Sequence, residues 1–324
     1  MERAARIYVA GHTGLAGSAI LRAVERAGYS NLVLRRHAEL DLIDARAVAA
    51  FFERERPEYV FLAAAKVGGI LANDTYPADF IRENLAVQLN VIHEAWRVGV
   101  KRLLFLGSSC IYPRDCPQPM KEEYFLSGPL EPTNRAYALA KIAGVEMCWS
   151  YNRQHGARFL AVMPTNLYGL GDRYDLQNSH VLPALIRKIH EAKQGGARQV
   201  TLWGSGRPRR EFLLSDDMAD ACVFLMRLPD AEFGRLVAPA KAPLINVGAG
   251  SDLSIADLAT RIAGLLDYRG EFVYDASRPE GVTRKLLDSS RIHALGWSAR
   301  TPLDEGLKLA YADFLQHHQK LAHA

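Results

Sequence analysis

The stretch YALAK places Tyr137 and Lys141 four residues apart on a predicted helix, so their side chains share one face. An ammonium beside a phenol favours the phenolate, and we expect Lys141 to lower the pKa of Tyr137 and make it a proton donor or acceptor near neutral pH. Such a spacing alone is common. Earlier in the chain, however, LFLGSS ends a predicted strand with Ser108 and Ser109, either of which could bond a substrate carbonyl.

A second group of residues could bind phosphate. The stretch GHTGLAG follows the first predicted strand and contains Gly11, Gly14 and Gly17. The first glycine permits a tight turn, the second lets the backbone approach a phosphate, and the third lets helix and strand pack closely. The pyrophosphate of a dinucleotide then sits at the helix N-terminus. The alternative is a glycine-rich turn that binds no ligand.

Two arginines after the second predicted strand bear on the choice of dinucleotide. In LVLRRH, Arg35 and Arg36 stand where an acidic residue would favour a free ribose 2′-hydroxyl. Guanidinium pairs well with a 2′-phosphate, so the sequence favours NADP(H) over NAD. The alternative is a pair of solvated surface arginines. In the stretch DLID, we expect Asp44 to contact the adenine of the dinucleotide.

Composition excludes several classes of protein. The 324 residues are 49% hydrophobic and 23% charged, with a net charge of +4, which is typical of a globular enzyme. The basic runs LRR and RPRR are short for a nucleic-acid surface, and no apolar run is long enough for a membrane span. The cysteines form no CxxC pair, so we expect no metal, no disulfide framework and a cytoplasmic location.

The stretch GSSCIYP leaves the role of Cys110 open. The residue is core filler, a free thiol on a loop, or an acid/base group. Pro113 soon after the strand favours a loop. We expect Cys148 to lie in the core, and Cys116 and Cys222 to be incidental.

Strand and helix patterns alternate strictly over the first half of the chain. Continuous apolar strands at 6–11, 31–34, 59–65, 102–109 and 158–164 predict a buried parallel sheet. After Pro164 loop signals increase, with later strands at 244–248 and 271–275. The fold class predicted is α/β, a Rossmann-type doubly wound parallel sheet with a smaller C-terminal α/β substrate domain. Residues 1–165 form the NADP-binding domain, to which some later segments return, and 166–324 form mainly the substrate domain.

Taken together, these motifs resemble the extended short-chain dehydrogenase/reductase superfamily. The resemblance rests on GxxGxxG, the strand end AAA (63–65), GSS, YxxxK and PTNLYG (164–169). It implies that Ser108, Tyr137 and Lys141 form the catalytic set, with Lys141 also bonding the nicotinamide ribose. The cofactor is expected across the strand ends.

Longer stretches are similar to the GDP-L-fucose synthase family of that superfamily. They are LAAAKVGGILANDTYPADFI (62–81), LFLGSSCIYP (104–113), EPTNRAYALAKIAG (131–144) and NSHVLPALIRK (178–188). The related 4,6-dehydratases carry an Asp–Glu pair where this chain reads Ser109–Cys110. The resemblance implies an epimerase-reductase acting on GDP-4-keto-6-deoxy-D-mannose with NADPH, in which Cys110 and His180 are the epimerisation acid/base pair.

The resemblance also implies two binding sets. The cofactor set is Gly11, His12, Thr13, Gly14, Leu15, Ala16, Gly17, Arg35, Arg36, Asp44, Leu106, Gly107, Ser109, Lys141, Pro164, Thr165, Asn166, Leu167 and His180. The substrate set is Ser108, Ser109, Cys110, Tyr137, Asn166, Lys188, Trp203, Arg210 and Glu280. Arg210 belongs to the basic run RPRR, for which a solvated turn is the alternative.

The chain departs from the family pattern at three positions. Glu280 stands where an Asp is typical, Thr13 where some relatives carry an arginine, and His37 where a basic residue is expected. Recognition of the 2′-phosphate then depends on Arg35 and Arg36.

Two other functions stay open at this stage. One is a different nucleotide-sugar epimerase or reductase, which needs no Cys110/His180 pair. The other is a non-catalytic NADP-binding sensor, against which the intact Ser108, Tyr137 and Lys141 argue. The superfamily resemblance further implies a homodimer through helices at about 84–98 and 134–155.

Overall fold

The computed structural model describes residues 1–176, 179–278 and 281–322. The strands of that part of the chain are β1 (Ile7–Ala10), β2 (Leu32–Val33), β3 (Tyr59–Leu62), β4 (Arg102–Leu106), β5 (Phe159–Pro164), β6 (Asn166–Tyr168), β7 (Gln199–Trp203), β8 (Arg209–Leu214), β9 (Leu244–Val247), β10 (Asp252–Ser254), β11 (Glu271–Asp275) and β12 (Arg284–Lys285). The helices are α1 (Leu15–Arg26), α2 (Ala45–Glu55), α3 (Ile70–Thr75), α4 (Pro77–Arg97), α5 (Arg135–His155), α6 (Val181–Gln194), α7 (Ser215–Arg227), α8 (Asp230–Leu236), α9 (Ile255–Leu266), α10 (Ser290–Ala294) and α11 (Leu303–Ala322).

The main sheet is parallel, with strand order β2-β1-β3-β4-β5-β9. Its strands are buried on both faces because helices cover both. Ile7 and Val9 of β1 face a core shared with α1 and α7, whereas Tyr8 and Ala10 face a core shared with α2, α4 and α5. The predicted α/β Rossmann-type sheet is therefore confirmed, although the predicted strand at 31–34 is reduced to Leu32–Val33.

The connection reverses direction between β1 and β3. From β1 the chain passes outward to β2 and then returns across β1 to form β3 on the other side. A crevice opens at such a reversal, outside the carboxyl ends of the strands, and it is where α/β sheets bind ligands. The glycine stretch at 11–17 follows β1 directly and therefore lies at this crevice.

The second half of the chain builds a smaller structure beside the first sheet. Strand β8 pairs with β6, β10 and β12, and β11 pairs with β7. Helices α6, α9 and α11 share a separate apolar core with these strands. Strand β9 and helix α7 instead join the first sheet and its cores.

None of the described helices is both long and apolar enough to cross a bilayer.

Candidate active site

The glycine stretch after β1 is shaped mostly by the protein's own packing. Gly11 has φ +84°, and a Cβ there would lie 2.7 Å from the backbone nitrogen of Ala64. A Cβ at Gly17 would lie 2.0 Å from the carbonyl oxygen of Gly11. Gly14 differs, since its Cβ would make only an ordinary 3.6 Å contact. The side of the loop at Gly14 therefore leaves room for an incoming group beside the first turn of α1.

The start of α1 is suited to an anion. Gly14 precedes the helix in extended conformation, and the first turn carries no acidic residue. The unpaired N–H groups and the positive end of the helix dipole favour a phosphate at this point. These residues fit a dinucleotide, which the glycine loop would hold by its pyrophosphate.

The two arginines after β2 have different surroundings. Arg35 donates to Glu55 at 2.7 Å and lies 5.8 Å from the ring of Phe51. Arg36 is exposed and close enough to His12 for its charge to act on that imidazole. The sequence placed both arginines on the cofactor, but the structure gives Arg35 a partner within the protein and leaves Arg36 beside the glycine loop.

Asp44 has a structural role at the start of α2. Its Oδ1 accepts from the backbone N–H groups of Arg46 and Ala47, at 2.9 and 3.0 Å. The side chain thereby caps α2 and satisfies two of the unpaired donors at the helix start. The contact of Asp44 with the adenine stays a prediction.

Helix α5 is tied to the end of β4 by Lys141. Its Nζ donates to the carbonyl oxygen of Leu106 at 2.8 Å and lies 4.8 Å from the ring of Phe105. The residue is 3% exposed, and burial lowers the pKa of Lys141 to about 8. This contact places Tyr137, one turn earlier on α5, beside the GSS stretch that follows β4.

Tyr137 lies near Ser108, close enough for the serine hydroxyl to oppose the rise in the pKa of the phenol. Lys141 Nζ is 5.7 Å from the centre of the tyrosine ring. The expected lowering of the tyrosine pKa was wrong: burial raises the pKa of Tyr137, and the nearby Cys110 acts in the same direction. Because desolvation disfavours the phenolate, the neutral phenol predominates at neutral pH, and that is the form that donates a proton.

Cys110 follows on a short 3-10 turn at Ser109–Ile111. Its backbone N–H donates to the hydroxyl of Ser108 at 3.3 Å, and its side chain is buried. Burial raises the pKa of the Cys110 thiol, while the ammonium of Lys285 opposes that rise. The backbone bond to Ser108 and the effect of Cys110 on the pKa of Tyr137 are consistent with a thiol near the Ser–Tyr pair.

His180 precedes α6 and lies in the same region. Burial lowers the pKa of the His180 imidazole, and Lys285 lowers it further. His180 is exposed, and Tyr137 and Lys285 are half-buried, although neighbouring protein atoms shift the pKa of all three. We infer that these three side chains line one cleft, because each is desolvated by the protein yet still reaches solvent.

A basic and aromatic cluster surrounds Trp203 at the end of β7. Lys188 Nζ and the guanidinium of Arg278 lie 5.3 and 5.2 Å from the ring centre of Trp203. Burial lowers the pKa of Lys188, and the charge of Arg278 adds to the effect. Arg210 lies opposite Lys285 in the pairing of β8 with β12. Cations beside an aromatic ring suit a nucleoside diphosphate.

Comparisons with known proteins give the family. Residues 7–237 match the family described as "NAD dependent epimerase/dehydratase family". The chain is 52% identical over 317 residues to "Putative GDP-L-fucose synthase 2" of Arabidopsis thaliana, covering 98% of this chain and 94% of that protein. It is 51% identical over 315 residues to "GDP-L-fucose synthase" of Escherichia coli (strain K12), covering 97% and 98%. The chain belongs to the NAD-dependent epimerase/dehydratase family and, within it, to the GDP-L-fucose synthases.

A solved structure shares the fold over nearly the whole chain. The "GDP-mannoheptose C4 reductase from Campylobacter jejuni with NADP bound" superposes with a TM-score of 0.88 at 41% identity, covering 97% of this chain and 99% of that chain. The family resemblance drawn from the sequence is confirmed. The individual residue roles stay predictions.

In this GDP-L-fucose synthase family member, Thr165 and Asn166 follow the carboxyl end of β5. Thr165 Oγ1 and Asn166 Nδ2 donate to the carbonyl oxygen of Glu211, at 3.1 and 2.8 Å, which fixes the end of β5 against β8. Glu280, predicted to bind substrate, lies outside the described residues. Among the residues the structure describes, no cluster of His, Cys, Asp and Glu could hold a metal ion.

Sequence reasoning missed Lys285 and Arg278. The charge of Lys285 lowers the pKa of both Cys110 and His180, and Arg278 contacts Trp203. Both belong to the basic stretch SRPEGVTRK, of which only Glu280 was predicted to bind substrate. The density of positive charge in that stretch was the available signal.

Proposed function

We propose that this chain converts GDP-4-keto-6-deoxy-D-mannose to GDP-L-fucose with NADPH, by epimerisation at carbons 3 and 5 and then reduction at carbon 4. One observation carries the proposal: a Ser–Tyr–Lys set for carbonyl reduction shares its cleft with a cysteine and a histidine that reduction does not require. A thiol and an imidazole are suited to moving protons near neutral pH.

The reduction step uses the residues at the ends of β4 and α5. NADPH, when bound, supplies the hydride that adds to carbon 4. Ser108 bonds the 4-oxygen and Tyr137 donates the proton to it, consistent with the neutral phenol that burial favours. Lys141 orients the nicotinamide ribose, and the glycine loop, with Arg36, holds the pyrophosphate and the 2′-phosphate.

The epimerisation steps depend on the 4-keto group. That group acidifies the hydrogens on carbons 3 and 5, which flank it. One member of the Cys110–His180 pair removes each proton, and the other returns a proton to the opposite face. Ser108 and Tyr137 stabilise the enolate oxygen formed in between.

The nucleotide end of the substrate belongs at the basic and aromatic cluster. Lys188 and Arg210 pair with the diphosphate, and Trp203 contacts the nucleotide-sugar. We retain Glu280 as a predicted substrate contact.

We further propose a cytoplasmic homodimer. Helices α4 and α5 pack together, and Leu89 and Leu139 on them are 56% and 39% exposed. A second copy could cover this apolar surface. All four cysteines are unpaired, which suits a reducing compartment. A monomeric mass in light scattering at micromolar concentration would refute the dimer.

The decisive experiment uses heavy water. The protein is incubated with GDP-4-keto-6-deoxy-D-mannose and NADPH in D₂O, and the product is analysed by NMR and mass spectrometry beside Cys110→Ser and the control Cys116→Ser. We expect GDP-L-fucose with deuterium at carbons 3 and 5 from the unmodified protein and from Cys116→Ser. We expect its loss, or an unepimerised reduced sugar, from Cys110→Ser.

Other outcomes separate the alternatives. NADPH oxidation without deuterium uptake would identify a ketoreductase that does not epimerise its substrate, as the name of the C. jejuni neighbour describes. Cys110 would then be a residue that only packs in the core. Retained NADPH binding with no turnover would favour a sensor or another nucleotide-sugar.

A further inference from the structure

Lys285 is adjacent to both members of the epimerisation pair but has no role in the reaction as described above. Among the described residues it is the charged group that acts on His180, and it has the largest charge effect on Cys110. Its other charged or titratable neighbours are Arg210, Glu131 and Cys116. Burial lowers the pKa of Lys285, which brings its neutral amine form nearer to physiological pH.

The backbone around Lys285 is fixed from two sides. Its strand β12 runs parallel to β8, with Lys285 opposite Arg210. The next residue, Leu286, accepts from the backbone N–H of Met120 at 2.7 Å, in the segment that follows Cys110. Leu287 then donates to the buried carboxylate of Glu211 at 3.0 Å. These bonds hold the lysine between the loop that follows Cys110 and the strand that carries Arg210.

The proposed reaction creates a proton problem that such a residue could solve. In the chair of the D-manno sugar the hydrogens on carbons 3 and 5 are axial on the same face. Both must therefore be removed by the same group and replaced by the same opposing group. After the first inversion the base has gained a proton and the acid has lost one, so neither is ready for the second.

Cys110 and His180 are not placed to correct this by direct exchange. In the proposed reaction they act from opposite faces of the sugar, so the bound sugar ring lies between them. Lys285 is the neighbour that they share. An amine can release one proton and take up another, which a guanidinium at physiological pH cannot do.

We propose that Lys285 is a proton relay that resets the Cys110–His180 pair between the two inversions; this rests on the proposed function. The ammonium gives a proton from Nζ to the member that has just lost one. The resulting amine takes the proton from the member that has just gained one. The net change is one proton moved between the pair, and no other reactant is consumed.

The test uses Lys285→Arg, which keeps the positive charge but removes the exchangeable amine. The variant is assayed in D₂O with GDP-4-keto-6-deoxy-D-mannose and NADPH, and deuterium is measured separately at carbons 3 and 5. We expect the rate of doubly labelled product to fall about 10- to 100-fold, with singly inverted, singly labelled sugars accumulating. Lys121→Arg, on an exposed lysine, is the control and should behave like the unmodified protein.

Chemical rescue provides an independent measurement. Added methylamine should restore part of the double labelling to Lys285→Ala, whereas added guanidinium should not. If Lys285→Arg does not melt cooperatively or bind NADPH, the rescue of Lys285→Ala tests the proton relay in its place.

Three results would overturn the proposed relay or the proposed function on which it rests. Undiminished double labelling by Lys285→Arg, or a raised KM with both carbons still labelled, would reduce Lys285 to a charge that binds substrate. Failure of methylamine to rescue Lys285→Ala would do the same. No deuterium at either carbon with the unmodified protein would instead refute the proposed function itself.

Discussion

Lys141 donates from Nζ to the carbonyl oxygen of Leu106 at 2.8 Å, and this contact joins the helix that carries Tyr137 to the strand that delivers Ser108 and Cys110. The ammonium is buried against the ring of Phe105, and its pKa is lowered to about 8. Lys141 therefore fixes the positions of the site residues but lowers the free energy of unfolding, because its charge is held where water is excluded.

Replacement of Lys141 should raise the stability of the protein while it abolishes its activity. In Lys141→Met we expect carbonyl reduction to be lost and the free energy of unfolding at pH 7 to rise by about 1–3 kcal/mol. The folded-state pKa lies below the ordinary lysine value, so between about pH 8 and pH 10.5 the unfolded chain binds more protons and the unmodified protein gains stability as pH rises. The advantage of the variant should therefore shrink over that range.

Denaturant unfolding at pH 7 and pH 10, with NADPH oxidation assays alongside, measures both effects. Lys101→Met, which removes an exposed ammonium paired with Glu58, is the control and should show no stabilisation. A Lys141→Met protein that is less stable at both pH values would contradict the assigned cost of burial.

Arg36 and Arg35 should differ in their effect on cofactor choice. Removal of a charge-assisted bond to the 2′-phosphate in Arg36→Ala should weaken NADPH binding about 10- to 100-fold and leave NADH binding unchanged. Arg35→Ala should act mainly on stability, because it removes a partner of Glu55. Fluorescence titration with both cofactors and thermal melts distinguish these effects. Equal loss of NADPH affinity in the two variants would show that Arg35 also reaches the phosphate.

The sequence alone could not separate these two arginines. Adjacent residues at the end of a strand look equivalent in a motif, whereas in the structure Glu55 and Phe51 of α2 hold only Arg35. Motifs whose members are close in sequence, such as the glycine stretch and YALAK, could be predicted because local geometry places their residues. Lys285 could not, since parallel pairing of β12 with β8 and the contact with the 118–120 segment bring it to Cys110 from far along the chain.

The direction of the pKa shift at Tyr137 could not be predicted from the YALAK motif either. The spacing of YALAK correctly predicts that Lys141 lies beside the tyrosine, but the pKa depends on how many protein atoms replace water around the phenol. That quantity is set by residues distant in sequence, including Phe80, whose ring packs against Tyr137 at 6.2 Å. The predicted direction was therefore wrong although the predicted neighbour was right.

Trp203 should contribute to binding of the nucleotide-sugar and not to the chemical step. In Trp203→Leu the ring between Lys188 and Arg278 is lost, and we expect KM for the nucleotide-sugar to rise about 10-fold with kcat changed less than about 2-fold. NADPH affinity should be unchanged. Steady-state kinetics with Trp149→Leu, on α5 away from the cluster, is the control. A fall in kcat with constant KM would place Trp203 at the reacting centre instead.

Asp172 lies in the segment between β6 and α6 that leads to His180, and its charge should destabilise the fold at alkaline pH. Burial raises the pKa of Asp172 to about 7, and Asp313 adds to the rise. The folded protein keeps its proton where the unfolded chain has lost it, so this group lowers stability progressively from about pH 4 to pH 7. Asp172→Asn retains an oxygen for the N–H of Arg173 and removes the charge.

The variant should therefore be more stable than the unmodified protein by about 1–3 kcal/mol at pH 8 and nearly equal to it at pH 4. Thermal unfolding of both proteins at the two pH values gives the comparison. Asp115→Asn, on an exposed aspartate, should show no such pH-dependent gain. A stabilisation that is the same at pH 4 and pH 8 would mean that packing, and not the buried charge, separates the two proteins.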